Sequence, residues 1–175
     1  GLNEALENAG LEVVETDLGE YIIQNRHEPP SHIIAPAVHL NKDQVIADFR
    51  AKHTHLPADR QIDEPSALVG EARSVLREKF LRAEVGITGA NFLVAETGSS
   101  VIVTNEGNGD LTQLLPRVHI VVASIEKCVP TLEDLSTLLR VLSRSATGQE
   151  ITAYTTLSTG ARRRGDPDGP EEFHV

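Results

Sequence analysis

The sequence is short of aromatic side chains, with four Phe, two Tyr and no Trp, so its core must be aliphatic. It has one cysteine, Cys128, which excludes an internal disulfide framework and a thiolate-rich metal site within this chain. No apolar run approaches the ~20 residues of a membrane helix, and no signal peptide is visible. Basic residues are scarce as well: 16 Lys and Arg against 26 Asp and Glu leave a net charge of −10. A surface that neutralises phosphates needs the opposite balance, so nucleic acid and anionic lipid are disfavoured partners. The expectation is a soluble cytoplasmic protein, with no nucleic-acid partner and no membrane span. Its 175 residues suit about one domain, enough to bury roughly 70% of the unfolded surface. The first residue is Gly1 rather than Met, so the chain is read as beginning inside a longer protein or at a processed end.

The stretch that organises the rest is residues 85–109. Val85, Gly86 and Ile87 form an uncharged run, broken by Thr88, Gly89, Ala90 and Asn91. Glu96, Thr97, Gly98 and Ser99 then lead into Ser100-Val101-Ile102-Val103-Thr104, a β-branched run suited to a buried strand. Asn105, Glu106, Gly107, Asn108 and Gly109 end it, where Asn and Gly accept positive φ at little cost. The pattern returns at residues 118–123, which stop at Ser124-Ile125-Glu126-Lys127. Ligands of open α/β sheets gather beyond the carboxyl ends of strands. Thr88, Gly89, Asn91, Glu96, Thr97, Gly98, Ser99, Asn105, Glu106, Gly107, Asn108 and Gly109 are therefore the candidate ligand-binding residues, expected to converge on one pocket or interface.

In chain order, a helix is expected to end near Ala9 with Gly10 as its stop, followed by a short strand at residues 11–14 and a turn of helix at 17–23. Residues 31–36 read as extended, because Pro29 and Pro30 block helix. Asn41 with Gln44 three residues on has capping-box spacing and opens a helix carrying Val45, Ile46 and Phe49. Residues 53–62 read as a polar connector. Pro65 begins the clearest helix, with Leu68, Val69, Ala72, Val75, Leu76 and Phe80 at helical spacing. Thr131 and Asp134 start another, striped by Leu135, Leu138, Leu139 and Leu142 and ending near Gly148. Residues 151–157 suit a last strand, and 158–175 a surface loop. Strands alternating with helices predict an α/β fold of three layers, α/β/α, with a mostly parallel central sheet.

The glycine turns at 86–89 and 107–109 read either as tight turns or as a ligand cradle, and neither matches a phosphate-binding fingerprint. Glu96, Glu106 and Glu126 near strand ends could do acid–base work or accept an acyl group; solvated or capping carboxylates are the commoner outcome. His53 and His55 lie in the polar connector, and no histidine–carboxylate cluster at ligand spacing appears, so no metal site is expected. His119 sits inside an apolar run and reads as a satisfied core histidine. Arg162, Arg163 and Arg164 read as a solvated loop or a grip for an anionic partner.

GLNEALENAGLEVVETDLGEYIIQ, EPPSHIIAPAVH, the run from LREKFLRAEVGITGANFLVAETG to TNEGNGDL, PRVHIVVASIEKCVPTLEDLSTLLRVLSRSATGQ and DGPEEFHV closely resemble the iron–sulfur subunits of bacterial L-lactate utilisation systems. The resemblance covers nearly the whole chain and implies a single LUD domain over residues 1–175, truncated at its N-terminus and lacking the family's C-terminal iron–sulfur region. It implies a fold like that of the sugar-phosphate isomerase and CoA-transferase group. It also implies a complex oxidising L-lactate to pyruvate, in which this subunit carries electrons through 4Fe–4S clusters bound by cysteine motifs absent here. Within this segment no cofactor is expected. Its implied partners are the other subunits of the complex and a small organic acid or nucleotide-like ligand. The resemblance leaves two readings open: a ligand-binding or subunit-docking module in electron transfer, and a CoA-transferase-like catalytic core using a strand-end glutamate. It assigns no catalytic residue.

Overall fold

The computed structural model describes residues 1–32, 35–104, 106–150, 152 and 154–175. They divide into two compact units, Gly1–Lys79 and Phe80–Val175.

The first unit is helical. Helix α1 (Leu2–Asn8) gives way to Gly10 at φ +86°, as expected of a glycine stop. The strand expected at residues 11–14 does not form. Its backbone is held instead by one side chain: Gln24 Nε2 donates to the Val13 carbonyl at 2.8 Å, and Gln24 Oε1 accepts from the Glu15 N–H at 2.9 Å. A strand needs a neighbouring ladder, and a glutamine of the next helix takes that place. Helix α2 (Leu18–Arg26) begins at Asp17, whose Oδ1 accepts from the Gly19 N–H at 2.8 Å. Of the extended piece expected at 31–36, Ile33 and Ile34 lie outside the described residues. Helix α3 (Lys42–Lys52) carries the expected capping box: the Gln44 N–H donates to Asn41 Oδ1 at 3.0 Å, and the Asn41 N–H to Gln44 Oε1 at 2.9 Å. Helix α4 (Pro65–Arg82) starts at its proline and buries Leu68, Ala72, Val75 and Leu76, while Val69 stays exposed.

A buried polar chain runs through this unit. The Tyr21 hydroxyl meets His53 Nε2 at 2.8 Å, and His53 Nδ1 meets Glu71 Oε1 at 2.7 Å. Arg60 donates to both oxygens of the same carboxylate, at 2.6 and 3.0 Å, and also to the Phe49 carbonyl at 3.0 Å. The connector at 53–62 thus opens with a histidine that is 1% exposed, not with a solvated one. Its ring packs on Phe49, centroids 4.8 Å apart. Burial pushes the Glu71 carboxyl up, but the hydrogen bonds from Arg60 and His53 outweigh it and hold the group below its ordinary range.

The second unit carries the strands: β1 (Val85–Thr88), β2 (Phe92–Val94), β3 (Ser99–Thr104), α5 (Asn108–Leu114), β4 (Val118–Val121), a 3-10 turn (Ile125–Lys127), β5 (Cys128–Val129), α6 (Leu132–Thr147), β6 (Tyr154–Ser158) and β7 (Glu172–His174). One sheet has the order β1-β4-β7, all parallel; the other has β5-β2-β3-β6. In the second sheet β2 is parallel to β5, and β3 is antiparallel to both β2 and β6. Among the described residues three of the five strand pairings are parallel, and the chain is an α/β protein as expected. One placement differs. Ser100–Thr104 was expected beside the strands at 85 and 118, yet it lies in the other sheet, because β2 pairs with it as a hairpin that the sequence did not reveal. Val94, Val101, Val129 and Leu135 pack together there, with Phe92 and Leu139 against them. Helix α6 is capped by Thr131, whose Oγ1 accepts from the Asp134 N–H at 3.1 Å, and it stops at Gly148 with φ +71°. The strand expected at 151–157 forms as β6, beginning at Tyr154, with Ile151 and Ala153 outside the described residues. The tail expected as loop returns as β7, setting Phe173 beside His119 of β4.

Two outcomes follow for the first unit. Glu71→Ala strands a buried histidine nitrogen and a guanidinium, and should cost about 3–5 kcal/mol; lost hydrogen-exchange protection in α3 and α4 is the readout, and unchanged protection would refute the placement. Because Glu71 titrates below its ordinary range when folded, its contribution is present above that range and fades as pH falls through the folded value. Glu20 behaves oppositely. Its hydrogen bond to Asp17, with burial second, pushes it from 4.5 up to about 7. Its protonated form favours folding below 4.5, and that gain disappears as pH rises through 7. Glu20→Gln should flatten stability across that window, and carboxyl NMR titration should place Glu20 near neutrality.

Candidate functional site

The structure separates the candidate residues into two groups. Thr88 closes β1, and Gly89 and Asn91 lead into β2. Asn91 ties the open end of the β2–β3 hairpin: its N–H donates to the Val101 carbonyl and its Oδ1 accepts from the Val103 N–H, both at 2.8 Å. Glu106, Gly107, Asn108 and Gly109 follow at that same end, while Asn105 lies outside the described residues. Glu96, Thr97 and Gly98 form the turn at the opposite end of the hairpin, with Gly98 at φ +67°. Ser99 starts β3 there, 1% exposed, its hydroxyl 2.6 Å from that of Thr97. The strand length therefore stands between the Glu96–Ser99 stretch and the other two.

The carboxylates do not pair. Glu96 Oε2 accepts from the Leu132 N–H at 3.0 Å and so caps the start of α6. Glu106 and Glu126 are exposed. Glu126 sits in the 3-10 turn, where hydrogen bonds from its own backbone N–H and the Ser124 side chain lower its pKa. With one carboxylate engaged as a helix cap and the other two at the surface, the strand-end glutamate gains no support from geometry.

The chemistry gathers instead around α5, a helix the sequence did not show. It opens straight from Gly107, which makes no side-chain cap. A Cβ on Gly86 of β1 would lie 1.9 Å from the Thr112 carbonyl oxygen of α5, and a Cβ on Gly109 would lie 2.8 Å from Thr104 Cγ2 of β3. These two glycines let α5 touch strands of both sheets. Gly107, by contrast, has φ −77° and open space around it. From α5, Asp110 Oδ1 accepts from Thr156 Oγ1 at 2.5 Å and Gln113 Oε1 accepts from Ser158 Oγ at 2.8 Å, both on β6. Gln113 Nε2 donates to the Gly109 carbonyl at 3.1 Å, so this buried amide is engaged at both ends.

Beside α5 lies a cavity of about 440 Å³, within the range of small-molecule sites, between α5, the end of β6 and the loop that carries Arg162 and Arg163. His119 of β4 lines it and is fully buried. Its Nε2 meets Thr88 Oγ1 at 2.9 Å, and the Phe173 ring lies edge-on, centroid to centroid 5.3 Å. Burial pushes its pKa down, so the imidazole is neutral near pH 7. Its Nδ1 has no partner, and among the described residues of this unit it is the one buried side-chain nitrogen or oxygen in that state. A satisfied core histidine was expected; half of it is satisfied. An unmet buried polar atom costs about 1–3 kcal/mol. The loop above is pinned by the Arg162 N–H on the Pro170 carbonyl at 2.8 Å and by Arg162 Nη2 on Glu171 at 2.5 Å. Among the described candidate residues, Thr88 is the one hydrogen-bonded to this histidine. The signal that sequence reading missed was Gly86 in register with His119, a position without a side chain beside a polar ring.

A family model described as the LUD domain matches residues 2–175. The chain is 52% identical over 175 residues to the lactate utilization protein B of Geobacillus sp. (strain WCH70), covering 99% of this chain and 36% of that protein. It is 53% identical to the protein of the same name from Shouchella clausii and 50% to that from Bacillus subtilis (strain 168), each over 175 residues with the same coverages. The chain thus spans little more than a third of the length of these relatives. Among solved structures it is similar to a DUF162 family protein from Deinococcus radiodurans, with a TM-score of 0.43 and 23% identity over 56% of this chain and 55% of that one.

The two kinds of glycine separate by mutation. Gly86→Ala should leave the second unit unable to pack α5, seen as loss of exchange protection across β1 and β4. Gly107→Ala, with room and an ordinary φ, should change stability by less than about 1 kcal/mol in denaturant unfolding.

Proposed function

The chain belongs to the LUD-domain family, and from that premise we propose that it is the LUD segment of a lactate utilisation protein B. In this reading it serves a cytoplasmic complex that oxidises L-lactate to pyruvate, as a ligand-binding or subunit-docking module alongside the partner subunits. The observation that supports this most strongly is the identity of 50–53% spread over 99% of the chain, with relatives that carry that name. A shared domain alone would leave the pathway open, since fold does not fix function.

Electron transfer belongs, in this proposal, to parts of the longer protein. A 4Fe–4S cluster takes four thiolates at short spacings. This chain offers Cys128 alone, exposed on β5 beside Lys127. Those residues do not fit a cluster, and no step is assigned to one here. Among the described residues no group of three or more His, Cys, Asp or Glu side chains stands ready for a metal ion. No helix among them is long and apolar enough to cross a membrane.

The test is a chimera. The matching third of the Bacillus subtilis relative is replaced by this chain, and growth on L-lactate as sole carbon source is compared with the unmodified strain and a deletion. Growth near the unmodified rate is expected. A chimera that accumulates as folded protein yet grows no better than the deletion would overturn the proposal.

A further inference from the structure

We infer that the cavity over His119 binds a monocarboxylate with an apolar body and a second, hydrogen-bonding end. The inference deepens the ligand-binding part of the reading above and gives that ligand a class and a place.

Charge at the rim selects the anion. Arg162, Arg163, Asp166 and Asp168 line the same opening. Arg162 is already held by Glu171, and Asp166 Oδ2 already accepts from the Arg163 N–H at 2.6 Å. The Arg163 guanidinium has no ion pair or hydrogen bond among the described residues, which leaves one fork of donors for one incoming group. A carboxylate matches that fork with two parallel hydrogen bonds. A phosphate dianion or a nucleotide brings a further negative charge toward two aspartates, and the other arginine of the lining, Arg162, is already held by Glu171. The rim therefore favours a singly charged acid over a nucleotide-like ligand.

The walls describe the rest of the molecule. Leu114 and Leu157 are 38% and 42% exposed at the cavity, and Pro167 and Pro170 stand beside them. Side chains of that kind cover an apolar body. His119, a buried residue of the lining, keeps Nδ1 unpaired, with Nε2 already committed to Thr88. A neutral imidazole accepts from a hydroxyl or donates to a carbonyl according to its tautomer, and the Thr88 hydroxyl can serve as either partner. The volume of about 440 Å³ is several times that of a three-carbon acid. A small acid such as L-lactate leaves most of that volume unfilled.

The probe is 4-hydroxyphenylacetate, which carries a carboxylate and a hydroxyl at opposite ends of an apolar ring, titrated into the purified chain by ligand-observed NMR. Binding is expected, with L-lactate and 4-hydroxyphenyl phosphate each at least about fivefold weaker and tyramine, the matching amine, silent. Arg163→Ala, at an exposed side chain without a partner, should weaken the probe by about fivefold while leaving the fold unchanged. His119→Phe should erase the preference for 4-hydroxyphenylacetate over phenylacetate; Arg163→Ala decides the matter if that variant fails to fold. No binding of the probe, a dianion that binds more tightly, or affinity untouched by Arg163→Ala overturns the inference. A chimera that grows on L-lactate beside a purified chain that ignores the probe removes the pocket and leaves the pathway reading standing.

Discussion

The Thr112 carbonyl oxygen sits where a Cβ on Gly86 would have to be, 1.9 Å away, and the second unit is arranged around that approach. Two sheets share one short helix. Its seven residues cannot hold themselves together in water, since isolated helices shorter than ~12 residues are marginal. Stability has to come from contacts, and the contacts are unusual for a helix. The buried positions of α5 are Gly109, Thr112 and Gln113 rather than leucines. Absence of a side chain at 86 and 109 lets backbone approach strand, and hydrogen bonds from Asp110 and Gln113 to β6 replace an apolar stripe. Such packing fixes orientation more tightly than grease would, because hydrogen bonds have direction. The cavity inherits that rigidity, as Gln113 and Ser158 form part of its wall.

The first unit solves a related problem with charge. A carboxylate buried among aliphatic side chains is costly unless it is paired and hydrogen-bonded. Glu71 is met on both oxygens by Arg60 and on one by His53, and Tyr21 completes the histidine. Four residues far apart in sequence are thereby held to one arrangement. Their mutual dependence makes the network worth more than its parts and makes any single deletion expensive. Arg60 adds a bond to the Phe49 carbonyl near the end of α3, joining the connector to a helix terminus.

How much of this could be read from sequence depends on how local the cause is. Asn41 with Gln44, Thr131 with Asp134, and Pro65 at a helix start act over three or four residues, and those helices form where such spacing predicts. The strands β2, β5 and β7 have three, two and three residues, too few for alternation to show; their partners define them. Helix α5 hid for the reason given above: it has neither a capping side chain nor an apolar stripe. Glu71 was visible in principle. It falls three residues after Leu68 and four before Val75, on the buried stripe of α4, where an ionisable residue needs a partner. The candidate site fared similarly. Thr88, singled out near the strand end, is the residue that meets His119, whereas His119 passed as core because sequence does not tell whether both ring nitrogens find partners. The glycine turns at 86–89 and 107–109 read as tight turns or a cradle, whereas Gly86 and Gly109 are required by close packing, Gly86 against an atom 26 residues away and Gly109 against the end of the preceding strand.

The pairing of Thr88 with His119 also bears on whether this site binds or catalyses. A hydroxyl 2.9 Å from an imidazole nitrogen is the first half of a nucleophile–base arrangement. Such a base works when a third group grips its other nitrogen, fixing the tautomer and stabilising the imidazolium that forms. Here that nitrogen has no partner, and burial disfavours the charged ring. Proton abstraction from Thr88 would create a buried cation with nothing beside it. The three strand-end glutamates do not supply the missing group, since Glu96 is spent on α6 and the other two face solvent. A hydrogen-bonding ligand end can take the open position at Nδ1, but a neutral hydroxyl or carbonyl there recognises the imidazole without making it a strong base. The same atom that disqualifies His119 as a triad base is the one that suits it to recognition.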